Sequence, residues 1–170
     1  NPAERPSADN WERALVKTID LMQPCSNPQC EQKWYVFDNT KSPSCPFCGT
    51  RFAGQLPILN LYSSRGKGKF TADQHRLMVY SDQYLYEWHS NRLVFPNERL
   101  RDDQKKPVGY FKLHHDRWVF VNQRLPQMKI VGDNPKDIAV NQMVELTEGQ
   151  QILFSPENGG RLAQVQLVQA

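Results

Sequence analysis

All four cysteines of this chain lie between residues 25 and 48, and their spacing constrains the fold of that segment more than any other feature. Cys25 and Cys30 form a Cys-x4-Cys pair, and Cys45 and Cys48 form a Cys-x2-Cys pair after an intervening strand-like run at 33–37. Two close pairs at this spacing allow four thiolates to converge tetrahedrally on one Zn²⁺ ion. Gly49 directly after the second pair suits a tight turn. The pattern therefore predicts a zinc ribbon or knuckle.

Two disulfides in a secreted module are the alternative interpretation of the same cysteines. The first ten residues contain neither a basic n-region nor an apolar h-region, so they do not resemble a signal peptide. Zinc is therefore the favoured interpretation. Four thiolates fill the tetrahedron and leave no position for water or substrate, so we expect a structural metal and not a catalytic one.

A helix is predicted before the cysteines. Four apolar residues there follow a helical period: Trp11, Leu15, Ile19 and Met22. Asp9 and Glu12 form a candidate N-cap box, and Pro24 ends the pattern. This apolar stripe is expected to pack on a neighbouring part of the molecule. We assign the helix and the cysteine module to a first domain, residues 1–54.

The chain from residue 55 to residue 170 is predicted to form a second, all-β domain. No stretch there sustains a helical period, and turn residues recur at close spacing. The predicted strands cover 75–80, 83–89, 108–113, 117–122, 128–131, 137–140, 143–146, 151–155 and 161–168. A β-sandwich is the economical arrangement, with its core formed by large side chains. These are Trp88, Tyr110, Phe111, Trp118, Phe120 and Phe154.

Charge and composition exclude several classes of protein. The 21 basic and 18 acidic residues leave a net charge of +3, too small for a nucleic-acid coat or a polybasic membrane anchor. No run of about 20 apolar residues is present to cross a membrane. Since the chain starts at Asn1, we interpret it as a piece of a longer protein, and we expect a cytoplasmic location.

No motif of a known catalytic centre is found in the sequence. The basic loop at 65–69 lacks the Ser or Thr that follows the lysine of a P-loop, because Phe70 stands there, so we expect a solvated loop. None of the four histidines, at positions 75, 89, 114 and 115, has a metal-ligand spacing, and His114 and His115 suit an exposed hairpin turn. We therefore expect no catalysis from this region.

Part of the second domain resembles the forkhead-associated (FHA) family of β-sandwiches, whose members bind phosphothreonine. The resemblance rests on residues 108–113 (VGYFKL), 116–122 (DRWVFVN), 140–142 (VNQ) and 144–152 (VELTEGQQI). It implies a phosphate contact at Arg92 and a turn or peptide-backbone contact at Asn141. In the family a glycine precedes this arginine, but here Asn91 precedes Arg92. Where the family has its phosphate-binding serine, this chain has Pro107, which offers a phosphate neither an N–H nor a hydroxyl. The resemblance therefore implies a degenerate FHA fold.

The combination of helix, four-cysteine module and FHA-like sandwich is similar to the C-terminal region of bacterial Ser/Thr kinases in tellurite-resistance (Ter) gene clusters. The similarity is carried by both cysteine pairs, by residues 34–37 (WYVF) and by the runs 108–111 and 118–122. It implies an upstream kinase domain and, as partners, a von Willebrand factor A (vWA) protein of the TerY type and a PP2C-like phosphatase. The metal site of a vWA domain commonly takes an acidic side chain from its partner. Loop carboxylates that qualify are Asp102, Asp103, Asp116, Asp133 and Glu157.

Four hypotheses follow. The first is a non-catalytic interaction region that docks a vWA protein, and the second is a phosphothreonine-peptide reader that uses Arg92 with Lys105 or Lys106. The third is nucleic-acid binding by the zinc ribbon and the 65–69 loop, which the small net charge disfavours. The fourth is an enzyme with a zinc-bound water, which the four-thiolate count disfavours.

Overall fold

The computed structural model describes residues 5–37, 43–66 and 68–169, and these residues form a mainly β fold, as predicted. The first half of the described chain contains α1 (Ala8–Asp20), β1 (Met22–Pro24), β2 (Trp34–Val36), β3 (Gln55–Ser64), β4 (Phe70–Met78), β5 (Tyr84–Leu85) and α2 (Glu87–Ser90). The second half contains β6 (Gly109–His114), β7 (Arg117–Asn122), β8 (Lys129–Val131), β9 (Lys136–Asp137), β10 (Met143–Glu145), β11 (Gln151–Leu153) and β12 (Arg161–Gln169). Neither helix within the described ranges has the length and apolar character needed to span a membrane.

Two antiparallel sheets pack into a sandwich. One has the strand order β4-β3-β12-β11-β8-β9 and the other the order β10-β7-β6-β5. Phe120 of the smaller sheet joins them, because its ring lies 6.0 Å, centroid to centroid, from that of Phe154, which follows β11 of the larger sheet. Within the smaller sheet, the ring of Phe111 lies 5.0 Å from that of Phe120. All three rings are fully buried. A second link is the hydrogen bond that Trp118 Nε1 donates to the carbonyl of Gln55, at 2.7 Å.

Two predicted strands are partly wrong. Of residues 137–140, only Asp137 lies in a strand, which is β9. Residues 83–89 were predicted to be a single strand, but only β5 pairs with a neighbour, and the short helix α2 follows it. The turn into α2 is stabilised by His89, whose Nδ1 accepts a hydrogen bond from the Tyr86 N–H at 3.0 Å. This contact withdraws residues 86–90 from the sheet and directs the other ring nitrogen of His89 toward the interior.

Helix α1 forms where it was predicted, but it presents a different side to the sandwich. Trp11, Leu15 and Ile19 are 57–62% exposed, so the prediction that this stripe packs on a neighbour is wrong within the described structure. The side that faces the sandwich is carried by Val16, which is half-buried, and Asp20, which is buried. Asp20 on that side bonds to two histidines of the sandwich, His75 and His89.

The ends of α1 also differ in detail from the prediction. Ser7, and not Asp9, caps the helix, since its Oγ accepts a hydrogen bond from the Asn10 N–H at 3.2 Å. The helix ends at Asp20, so Met22 belongs to β1. The serine hydroxyl satisfies one of the free N–H groups of the first turn, and Asp9 then lies inside that turn near the positive end of the helix dipole.

The hairpin of β1 and β2 packs against the sandwich. Gln23 Nε2 donates a hydrogen bond to the carbonyl of Val79 at 3.1 Å, and the rings of Trp34 and Tyr80 meet edge to face at 5.1 Å. Tyr35 and Phe37 join the buried cluster that continues into the sandwich. Residues 38–42, between the cysteine pairs, lie outside the described residues.

Gly109, the first residue of β6, has no room for a side chain. A Cβ atom there would lie 2.6 Å from the carbonyl oxygen of Val121 and 2.7 Å from Cε2 of the buried Phe120. We expect Gly109→Ala to lower the free energy of unfolding by about 1–3 kcal/mol, because overpacking forces neighbouring atoms to move. Urea unfolding measures the change. Lys112→Ala, exposed in the same strand, is the control, and an equal effect of both variants would contradict the packing described here.

Candidate functional site

The four cysteine sulfur atoms form one cluster. All four lie within 4.8 Å of one another, with Cys25 and Cys48 at 3.6 Å and Cys30 and Cys45 at 3.9 Å. Four thiolates about 2.3 Å from one tetrahedral metal ion are separated by about 3.8 Å. The spacing of the sulfurs therefore fits a single metal ion, and the predicted ligand set is brought together at one point.

The first pair is positioned by the β1–β2 hairpin. Cys25 directly follows β1, and its N–H donates to the carbonyl of Lys33 at 2.8 Å, which continues the ladder. Cys30 is placed by the turn before it, where its N–H donates to the carbonyl of Asn27 at 3.1 Å. The side chain of Asn27 also accepts a hydrogen bond from the Gln29 N–H at 3.0 Å. Local backbone contacts thus aim both thiols inward.

The second pair lies on a tight turn. Ser44 and Arg51 form an isolated bridge, the Cys45 N–H donates to the carbonyl of Thr50 at 2.9 Å, and the Gly49 N–H donates to the carbonyl of Cys45 at 2.8 Å. Gly49 has a φ of +73°, a left-handed conformation that glycine adopts without strain. The turn predicted from Gly49 is therefore present.

The thiols differ in their acidity. Burial raises the pKa of the Cys30 thiol to about 12 and also raises the pKa of Cys25. The hydrogen bond with the Thr50 hydroxyl, at 3.3 Å, lowers the pKa of Cys48 to about 6. Cys30 and Cys45 are buried and Cys48 is exposed. One side of the cluster thus faces the protein core and the other faces solvent.

Arg92 and Asn141 lie in different surroundings. Arg92 is half-buried after α2, and its N–H donates to the carbonyl of Gly159 at 2.9 Å. Asn141 is exposed in the turn before β10, with a φ of +69°, and its N–H donates to the carbonyl of Asn122 at 2.7 Å. No contact among the described residues joins the two side chains, so the phosphate and peptide contacts that the FHA resemblance implies remain separate predictions.

The five loop carboxylates are all exposed, but their settings differ. Asp102 Oδ1 lies 3.9 Å from Lys105 Nζ. Asp103 Oδ1 lies 3.2 Å from Arg101 Nε. Asp116 has a φ of +60° in the two-residue turn that joins β6 to β7, where a hairpin was predicted. Asp133 and Glu157 lie in the β8–β9 and β11–β12 connections. Exposure alone therefore does not select one of them.

Sequence reasoning missed a buried network below α1. Asp20 accepts a hydrogen bond from His75 Nε2 at 2.5 Å through Oδ2 and one from His89 Nε2 at 3.1 Å through Oδ1. Each histidine can donate from Nε2 because its Nδ1 faces a donor, which is Arg161 Nη2 at 3.4 Å for His75. Arg161 also donates from Nε to Asp73 Oδ2 at 2.7 Å. These partners are 55 to 88 positions apart in the chain, so no local signal links them.

A small apolar groove, here called the α1 groove, lies between α1 and the segment 80–89. Its volume is about 290 Å³, and its walls include Val16, Ile19, Tyr80, Tyr84 and Tyr86. Asp82 stands in its lining with a φ of +67°, and its carboxylate is 72% exposed and 3.6 Å from Lys112 Nζ. The Asp82 backbone is held by the hydrogen bond of its N–H to the carbonyl of Phe111, at 2.8 Å. Asp82 was not among the predicted carboxylates.

Comparisons of the chain with protein-family models, with curated proteins and with solved structures gave no significant match.

Proposed function

We propose that the four cysteines hold one structural Zn²⁺ ion. Thiolates are soft ligands, and a tetrahedral set of four is the donor set of structural zinc sites. The sulfur separations of 3.6 and 3.9 Å support a metal of this bond length. With all four positions taken by protein, the ion would stabilise the β1–β2 hairpin and the second cysteine turn and would perform no catalysis.

We further propose that this region is the non-catalytic, protein-docking part of a bacterial Ser/Thr kinase of the tellurite-resistance type. The observation that carries the proposal is the exposed apolar side of α1 next to the α1 groove. Trp11, Leu15 and Ile19 are all more than half exposed, and Ile19 also lines the groove. Contiguous exposed apolar surface of this kind is typical of protein interaction sites.

The occupant we propose is the metal site of a vWA-domain protein of the TerY type. Such a site commonly takes one carboxylate from its partner, and Asp82 offers one in the lining of the α1 groove. Lys112 pairs with it at 3.6 Å and is half-exposed, so this surface ion pair costs little to break. The fixed backbone of Asp82 keeps the carboxylate in place, while the apolar groove and the α1 stripe supply contact area around it.

Calorimetric titration with the metal-loaded vWA protein of the same gene cluster tests the proposal. We expect Asp82→Asn to weaken binding by about tenfold or more, since a hydrogen-bonded charge pair at an interface is lost. Asp116→Asn is a matched control, because Asp116 is also exposed with a left-handed φ, which asparagine tolerates. Treatment of the partner with EDTA is expected to weaken binding as much as Asp82→Asn does.

Three results would contradict the docking proposal. They are the absence of binding, binding that survives removal of the partner's metal, and equal affinities of the Asp82→Asn and Asp116→Asn variants. Ile19→Asp tests the apolar part independently, and we expect it to weaken binding without loss of folding, because Ile19 is 62% exposed. Circular dichroism of each variant verifies the fold.

A further inference from the structure

A second, larger cavity shares Val16 with the α1 groove and is lined by basic side chains. It measures about 510 Å³ and is here called the basic cleft. It is surrounded by α1, β4, the start of β12 and residues 88–96, which comprise the end of α2 and the loop after it. The lining residues that matter for its charge are Arg13, Lys17, Asp73, Arg92 and Arg161.

The one carboxylate among them is already neutralised. Asp73 accepts a hydrogen bond from Arg161 Nε at 2.7 Å and another from the Ser63 hydroxyl. Arg161 itself is buried and also donates from Nη1 to the carbonyl of Trp88 at 2.8 Å. The charges of Asp73 and Arg161 therefore cancel in the wall of the cleft. The other three cations of the lining, Arg13, Lys17 and Arg92, give the cleft a net positive charge.

These three cations keep free donors. Arg13 lies with Cζ 4.6 Å from the ring centroid of Phe95, a contact that occupies the face of its guanidinium and leaves the N–H edge available. Lys17 Nζ makes one long hydrogen bond, 3.4 Å to the carbonyl of Gln74. No hydrogen bond or ion pair joins the Arg92 guanidinium to any residue of the described ranges, although its N–H is fixed to Gly159. Arg13 and Lys17, four positions apart, share one side of α1.

Arg92 is also close enough to Arg161 for the two charges to repel. Burial lowers the pKa of Arg161, the charge of Asp73 opposes this, and the charge of Arg92 lowers the pKa further. An anion bound between the cations would relieve this repulsion. A single carboxylate would neutralise one positive charge, whereas a phosphate monoester carries up to two negative charges and three acceptor oxygens, which suits the flat, forked donors of arginine.

We propose that the basic cleft binds a phosphate monoester, through Arg92 from the sandwich and through Arg13 and Lys17 from α1. This inference goes beyond the docking function and does not depend on it. The site differs from the one that the FHA resemblance implies, because two of its three cations come from the helix and neither Lys105 nor Lys106 lines the cleft. Apolar side chains beside the charges, such as Trp88 and Phe95, would contact the group that carries the phosphate.

NMR titration of the zinc-loaded chain with three probes tests the proposal: inorganic phosphate, a phosphothreonine peptide and adenosine monophosphate. We expect saturable binding of phosphate, with shift changes at the residues that line the basic cleft. Arg92→Gln and the double variant Arg13→Gln/Lys17→Gln should each weaken binding by about tenfold or more, because a charge-assisted hydrogen bond is lost. The tighter of the two esters identifies the source of the phosphate.

Arg65→Gln is the control for a general loss of positive charge, since Arg65 is exposed in the β3–β4 loop and does not line the cleft. Absence of saturable binding for all three probes would overturn the proposal, and so would an Arg65→Gln effect equal to that of Arg92→Gln. Arg13 and Lys17 are exposed, so their variants are expected to fold, which zinc content and circular dichroism verify. Asp82→Asn should bind phosphate normally and Arg92→Gln should bind the vWA protein normally, which separates the failure of one proposal from the failure of the other.

Discussion

Replacing Cys45 by serine is expected to abolish zinc binding and to unfold the segment from residue 22 to residue 52. Cys45 is 1% exposed and belongs to the same buried cluster as Tyr35 and Phe37. The two strands of this segment have three residues each, too few to hold the hairpin without another constraint. A structural zinc site contributes about 10–16 kcal/mol of apparent binding free energy in small modules, and that energy becomes folding energy.

Metal analysis of the purified protein and near-ultraviolet circular dichroism measure this effect. We expect about one zinc ion per wild-type chain and less than about a tenth of that in Cys45→Ser. Phe47→Ser is the matched control, because Phe47 lies in the same cysteine turn, is 61% exposed and offers no ligand. Full zinc content in Cys45→Ser would show that the sulfur cluster does not bind the metal as a set of four.

Replacing Asp20 by alanine is expected to lower the free energy of unfolding by about 3 kcal/mol. Asp20 is 5% exposed and accepts hydrogen bonds from both His75 and His89. Its removal leaves two buried N–H donors without an acceptor, and each such group costs about 1–3 kcal/mol. Because His75 also faces Arg161, the variant should disturb α1 and the start of β12 together. Urea unfolding at neutral pH measures the loss.

The effect of Asp20→Ala should depend on pH in a defined direction. Burial alone would raise the pKa of Asp20, but the electrostatic attraction of His89 and the hydrogen bonds from both histidines outweigh burial and lower the pKa from 3.8 to about 2. A carboxyl group whose pKa is lowered by folding stabilises the fold at pH values above its pKa in the unfolded chain, which is 3.8. This stabilisation is lost as the pH falls through the pKa in the folded protein, about 2. The stability difference between wild type and variant should therefore shrink by about 2 kcal/mol between pH 5 and pH 2.

Asp102→Ala is the control for the Asp20 measurements, since the Asp102 side chain is fully exposed. We expect its unfolding midpoint to match that of wild type at each pH. Equal stability of wild type and Asp20→Ala at pH 5 would refute the role assigned to the buried network.

The sequence alone was enough to predict the structural features that depend on the spacing of residues along the chain. The cysteine cluster follows from two close pairs, and the hairpin at His115 and Asp116 follows from polar residues between two strand-like runs. The long strand β12 follows from the alternation of apolar and polar residues. In each case the interacting groups are near neighbours in the chain or repeat with a fixed period.

The remainder depends on contacts between distant residues. The periodicity of Trp11, Leu15 and Ile19 shows that α1 has an apolar side, but it cannot show whether that side is covered. Asp20 turns the neighbouring side toward the sandwich because its partners, His75 and His89, are supplied by β4 and α2. Asp82 was missed for a similar reason, since its place in the lining of the α1 groove results from the packing of α1 against residues 80–86.

The position of Asp20 also has an evolutionary consequence. Its two histidines lie beyond residue 54, so a recombination event that moved residues 1–54 into another protein would leave the Asp20 carboxylate without its hydrogen-bond donors. The reverse exchange would leave the ring nitrogens of His75 and His89 without their acceptor. Selection on recombinants should therefore favour inheritance of the helix and the sandwich as one cassette, even though only the cysteine module has a sequence pattern that marks it as a separate unit.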